Sequence, residues 1–300
     1  MINKAASVKK AIIVNPLAII LAVSIAIIVH AVMPAGVNAE DFDSVFVKLL
    51  GFPVVSVSYF VLLFIHCVVV MQYFGKQSYV PKLQIGIRFG LAFAVLYFFG
   101  MQEVAVEASP FREWGFAFVS YQFFMGVGDA IPALLLCVTV AYFTLDNRNT
   151  YFPVQTLSRT EKIKVIALIT VVFFTERLIG YETGIVSSNC NTYPIPCYIW
   201  TILFGIVLGC CYVVLYPVLA KEQNKLLLSF KLAVLTIGVN WMIFNSFMGM
   251  ILSGVMLQML LRSGIDVAIF FLTCIVISKY FVKPRQRDGS PENISISQYI

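Results

Sequence analysis

The sequence predicts an all-α fold: a polytopic integral membrane helical bundle of about eight transmembrane helices, with N- and C-termini cytoplasmic. Three observations carry the expectation. The chain is 60% hydrophobic and 12% charged, against about 45–50% and about 25% in soluble domains. Its apolar residues fall into runs near the roughly 20 residues that cross a bilayer. Its basic residues alternate between the two sides that those runs define.

Eight runs qualify, in order Ala11–Met33, Leu49–Tyr73, Leu83–Gly100, Trp114–Leu145, Val165–Gly180, Pro196–Leu219, Leu232–Gly254 and Gly264–Ile277. A large soluble helical core would need polar helix faces, and these runs lack them. The first run is longer than a signal-peptide core and no small-residue cleavage site follows it, so it is expected to be retained. The third, fifth and eighth are short for a span. The fourth is long and is expected to bend or tilt.

Alternate assignment places Lys4, Lys9, Lys10, Lys76, Lys82, Arg88, Arg148, Arg159, Lys162, Lys164, Lys221, Lys225, Lys231, Lys279, Lys283, Arg285 and Arg287 on one side, 17 of 21 basic residues. Lys48, Arg112 and Arg262 fall on the other, and Arg177 lies within a span. This is the positive-inside pattern, so the net charge of +6 reflects topology and not nucleic-acid binding. Gly184 and Asn38 are then expected outside, Asn149 and Ile300 inside. The predicted location is the plasma (inner) membrane, with membrane lipids as the first partners.

Residues 1–285 read as one transmembrane domain, with halves 1–147 and 160–285 joined by the cytoplasmic loop "DNRNTYFPVQTLSRTEK". Residues 286–300 read as a cytoplasmic polar tail. The outer loops are acidic, with Glu40, Asp41, Asp43, Glu103, Glu107, Glu113 and Glu182. Of seven cysteines, Cys67, Cys137, Cys210, Cys211 and Cys274 lie in spans as small hydrophobes. Cys190 and Cys197 bracket "NTYPIP" in an outer loop, where an oxidising exterior predicts a disulfide. Neither histidine lies in that loop, and no metal site is expected.

Ionisable groups inside a membrane cost about 2.5–3.5 kcal/mol each near a helix centre. Asp129, Glu176, Arg177, Asn240, Asn245, Arg262 and Asp266 are therefore the candidate binding residues. Asp129, Asn240 and Asn245 fall near mid-membrane, and Glu176, Arg177, Arg262, Asp266 and His30 in the outer half. Arg262 and Asp266 are four apart and share a helix face. Asp129 or Asp266 is expected to pair with Arg177. If the polar groups face inward, they describe a cavity opening outward. The bland alternative is a structural ion-pair network, with Asn240 and Asn245 as interhelical hydrogen-bonding groups. His30 and His66 read as packing or interface residues.

One stretch, "FFMGVGDAIPALLLC", carries Gly126, Gly128, Asp129 and Pro132. Its "GVGD" resembles the GxGD motif of intramembrane aspartyl proteases, and the following "AIPALLLC" resembles the motif helix of signal peptide peptidases. The resemblance covers about twenty residues. It implies a second aspartate in the preceding span to share a proton with the first; "LQIGIRFGLAFAVLYFFG" has no acid. Gly126, Gly128 and Pro132 equally predict a broken helix, with Asp129 binding or relaying a cation or proton at the break.

There is no nucleotide fingerprint, zinc motif or Ser/His/Asp order, so no cofactor and no catalytic residue is expected, and the chain leans away from an enzyme. A transporter or solute- or ion-binding permease-like protein is the first expectation, with a small molecule or ion as substrate. The alternative is a non-catalytic sensor, immunity factor or assembly subunit with a membrane-protein partner or a second copy. An intramembrane aspartyl-type protease is the third.

Overall fold

The computed structural model describes residues 2–33, 42–106, 116–146 and 154–281. The described residues are all-α, 84% helix, with no strand among them. The predicted tail, the middle of the inner loop, Asn38, Glu40, Asp41, Glu107, Arg112 and Glu113 lie outside the described residues.

The helices are α1 (Ile2–Val32), α2 (Val45–Leu50), α3 (Phe52–Gly75), α4 (Lys82–Met101), α5 (Phe116–Thr144), α6 (Arg159–Glu182), α7 (Pro194–Leu219), α8 (Lys225–Ser229), α9 (Val239–Ile251) and α10 (Met256–Val276). A 3-10 turn, Gln102–Ala105, ends α4. A π segment, Phe230–Gly238, fuses α8 to α9, and a second, Ile277–Phe281, extends α10. The described residues thus form eight long rods. Seven are long and apolar enough to cross a membrane. The other is α6, which carries Arg159, Glu161, Lys162, Lys164, Glu176, Arg177 and Glu182.

Local chemistry explains the helix starts. Ser158 and Glu161 form a reciprocal capping box on α6, satisfying backbone donors that have no helical partner. Pro194 opens α7, and Pro53 sits in the first turn of α3, where a missing N–H costs nothing. Gly254, at φ 77°, turns the chain between α9 and α10; a side chain would be strained there.

Pro132 lies inside α5, yet α5 runs as α-helix through Gly126, Gly128 and Asp129. The broken helix expected there is corrected to a continuous one. The glycines serve packing instead. A Cβ on Gly126 would meet the Phe98 backbone at 2.8 Å, and one on Gly128 would meet Val29 at 2.9 Å. Two Gly-x-x-x-Gly seams work the same way. Gly86 and Gly90 of α4 seat against Cys137, Ala141 and Leu134 of α5. Gly205 and Gly209 of α7 seat against Thr170 and Ile166 of α6. Such close backbone approach is how helices associate where lipid removes the hydrophobic drive.

The core is built on α3, α4, α5 and α7, with Leu63, Phe64, Cys67, Phe93, Tyr97, Cys137, Phe204 and Tyr212 buried. The outer surface is apolar: Ile12, Leu17, Ile20 and Ile28 of α1 are each about 60% exposed, and Leu257 is 79% exposed. Water would not tolerate such a surface and lipid does. The molecule is a membrane-embedded helical bundle.

Contacts define its two ends. At one, Lys82 donates to the Tyr142 carbonyl, Lys225 to the Lys279 carbonyl, and Lys10 lies over the Phe143 ring. At the other, the Asn189 N–H donates to the Val106 carbonyl and the Gln258 amide to the Ile185 carbonyl. There the disulfide between Cys190 and Cys197 closes the loop ahead of α7, as the spacing predicted. The first is called here the lysine end and the second the disulfide end.

Candidate functional site

Below the disulfide end, α6, α10 and the 3-10 turn after α4 bring charged side chains together, and α9 adds Trp241 and Asn245. Arg177 is fully buried. Its Nε donates to Asp266 Oδ1 at 2.7 Å, and its Nη2 to Asp266 Oδ2 at 2.6 Å. The same Nη2 reaches Glu103 Oε1 at 2.9 Å. Trp241 Nε1 donates to Asp266 Oδ2 at 2.9 Å. A planar guanidinium is suited to this two-point grip on a carboxylate.

Arg262, one turn before Asp266, continues the network. Its Nη2 lies 3.3 Å from Glu103 Oε2 and 3.0 Å from Asn245 Oδ1. Asn245 in turn donates to the Trp241 carbonyl at 3.0 Å. Glu103 therefore bridges two arginines from two helices. Tyr181 lies one turn beyond Arg177 and meets Thr201 Oγ1 at 3.3 Å. The rings of Phe173 and Trp200 flank the Arg177 guanidinium at 5.3 and 5.8 Å.

Glu176 completes the cluster differently. Its side chain is 8% exposed, and its Oε2 is 4.0 Å from Arg177 Nε. The Asp266 carboxyl lies against it. Neither Glu176 oxygen meets a hydrogen-bond donor. Two carboxyls can hydrogen-bond only when one of them holds a proton.

The sequence placed seven residues in one candidate site. The structure gathers five of them, Glu176, Arg177, Asn245, Arg262 and Asp266. Asp129 and Asn240 stand elsewhere. Asp129, fully buried in α5, faces His30 of α1, with 3.4 Å from Oδ1 to His30 Nε2. Neither carboxyl oxygen makes a hydrogen bond. His30 Nδ1 lies 2.8 Å from the Ala26 carbonyl and so carries the hydrogen there. Of the two acids expected as partners for Arg177, Asp266 is the one that pairs with it. No second acid stands beside Asp129 among the described residues, so the shared-proton pair implied by the GxGD resemblance is not assembled.

Asn240 belongs to a third cluster, at the π segment. Its Nδ2 is 3.1 Å from His66 Nδ1 and 3.6 Å from Cys67 Sγ. His66 Nε2 reaches the Leu235 carbonyl at 3.0 Å. A carbonyl oxygen only accepts, so His66 carries a hydrogen on Nε2 toward Leu235. The π winding shifts carbonyls off the usual ladder and supplies that acceptor.

Sequence reasoning assigned Glu103 to the solvated loop acids, and it is buried. Its position two residues past the end of α4 was the available signal. Trp241, Tyr181 and Thr201 gave none. No cluster of His, Cys, Asp and Glu suited to a metal occurs among the described residues. Where a cavity was expected at the disulfide end, the described residues pack charges on one another: Arg177, Glu103, Asp266 and Arg262 are 0–5% exposed.

Fold and site together define a class: a multi-pass α-helical membrane protein with a buried ionic network near one end. No family model, curated protein or solved structure matches the chain.

Proposed function

We propose that this is a transporter or permease-like protein of the plasma membrane whose ionic network holds an exchangeable proton or small cation. The observation that carries the reading is the charge count. Among the described residues, two guanidinium groups, Arg177 and Arg262, face three carboxyls, Glu103, Asp266 and Glu176. An unpaired charge in a low-dielectric interior is neutralised or paired. A proton on Glu176, hydrogen-bonded to Asp266, balances the cluster; so does a small cation held between the two. Gain or loss of that charge would loosen or tighten the grip of Arg177 on Asp266 and so the contact of α6 with α10.

The ends of the bundle support the same reading. Among the described residues, packed charges fill the disulfide end, while a cavity of about 510 Å³ opens at the lysine end. Closed at one end and open at the other is the arrangement alternating access requires. With the lysine end in the cytoplasm, as the basic residues favour, that cavity would face the cell interior.

Infrared titration of the full-length protein in detergent tests the proton: a protonated-carboxyl band should vanish in Glu176→Gln. Uptake of a panel of labelled small solutes into proteoliposomes under an imposed proton gradient tests transport. Uptake by the native protein that is lost in Glu176→Gln supports the proposal. A variant matching the native protein in both measurements sinks it. A tightly co-purifying membrane protein without flux would instead mark a sensor or assembly subunit.

A further inference from the structure

The cavity at the lysine end is a chemically distinct place. It lies between the last turn of α3, the end of α7 and the start of the first π segment, and Lys76, Lys221 and Lys231 line it with one acid, Glu222. Among the described residues, three ammonium groups against one carboxylate leave a net charge of +2 on its wall. Lys231 is fixed: its side chain is 13% exposed and its Nζ is 2.7 Å from Glu222 Oε2. Lys221 is steered by the Tyr79 ring, 4.6 Å below its Nζ, a contact that leaves its hydrogens free to donate. Lys76 stands exposed at the mouth. Phe74 and Leu219 give the cavity an apolar floor.

We infer that this cavity binds an anion bearing phosphate, with a charge near −2. Walls of protein focus the potential of the lysines into the cleft. Ammonium groups act on phosphate as compact point charges with several donors. A volume of about 510 Å³ lies within the roughly 300–1,000 Å³ of small-molecule sites. The apolar floor accepts the non-phosphate part. Glu222 sets the selectivity: it cancels one ammonium and so disfavours more highly charged anions, and it holds Lys231 in place for the ligand. The site stands on its own geometry and not on the transport reading.

The phosphate can come from a soluble molecule or from a lipid headgroup, and two probes separate these sources. Phenyl phosphate, a monoester with a charge near −2 at neutral pH, is titrated into full-length protein in neutral detergent, with thermal unfolding as the readout. Phosphatidic acid in phosphatidylcholine nanodiscs is scored by native mass spectrometry. At least one probe should saturate one site. Its affinity should fall at least about tenfold in Lys76→Gln/Lys221→Gln. It should be unchanged in Lys162→Gln, an exposed α6 lysine that does not line the cavity. Phenyl phosphate binding in micelles marks a soluble ligand; binding of phosphatidic acid alone marks a headgroup. No saturable binding by either probe would overturn the inference. So would equal weakening by Lys162→Gln, which would mean only a diffuse basic rim.

Discussion

Arg177 of α6 grips Asp266 of α10 through two parallel hydrogen bonds, 2.7 and 2.6 Å long, across 89 residues of sequence. No water-exposed surface screens this pair, since the two side chains are 0% and 3% exposed. Removing one partner leaves the other charged and buried. Arg177→Ala should cost about 3–5 kcal/mol of stability in detergent. Arg177→Ala with Asp266→Ala should cost less than the sum, with a coupling above about 0.5 kcal/mol. Arg177→Ala with Asp129→Asn should be additive, because Asp129 answers to His30. A thermal-unfolding double-mutant cycle reads all three, and additivity for the Arg177–Asp266 pair would remove it from the network.

Whether α6 crosses the membrane is decided by labelling. Asp146 follows α5 and Glu182 ends α6, and both are exposed. If α6 spans, Asp146→Cys and Glu182→Cys should react with a membrane-impermeant thiol reagent from opposite sides. Only the Glu182 position should react in intact cells. Reaction of both positions from one side would leave α6 outside the bilayer and the spans at seven.

Two glycines predict opposite outcomes for one substitution. A Cβ on Gly86 would stand 2.8 Å from Ala141 Cβ and from the Cys137 carbonyl oxygen. Gly86→Ala should therefore push α4 off α5 and destabilise by about 1–3 kcal/mol. Gly264 in α10 has nothing within 4 Å of a built Cβ, so Gly264→Ala should be neutral or stabilising by up to about 1 kcal/mol. Melting temperatures of the two variants compare them directly.

Acid should loosen one corner of the disulfide end. Asp43 accepts the Ser253 N–H at 3.0 Å, and the Ser253 hydroxyl donates to the Asp43 carbonyl at 2.9 Å. The Ser253 backbone N–H, opposed by partial desolvation, holds the Asp43 carboxyl below its usual range. A depressed folded value means the contribution is present above the unfolded value of about 4 and is lost as pH falls through the folded one. Hydrogen exchange around Ser253, corrected for intrinsic rate, should quicken between about pH 5 and about pH 3. Asp43→Asn should abolish that pH dependence, and a native-like profile in Asp43→Asn would refute the assignment.

The sequence by itself determined that this is a helical membrane bundle. Lipid leaves a backbone no hydrogen-bond partners, so a chain this apolar must satisfy itself within helices. It also determined the Cys190–Cys197 pair, which two prolines and seven residues of separation bring within reach, and it marked Glu176, Arg177, Arg262 and Asp266 as charges needing company. Only the tertiary structure decided who keeps that company. Depth along a span can be counted from the loops, but rotation about the helix axis cannot, because spans such as α3 and α5 are apolar nearly all round. So Asp129 was legible as a buried acid and its partner His30 was not. Glu103, two residues beyond α4, looked like a loop acid until the 3-10 turn folded it inward between two arginines. Packing of the Gly86–Gly90 and Gly205–Gly209 seams sets which faces meet, and that choice, made by steric fit between distant segments, places each charge beside its counter-charge.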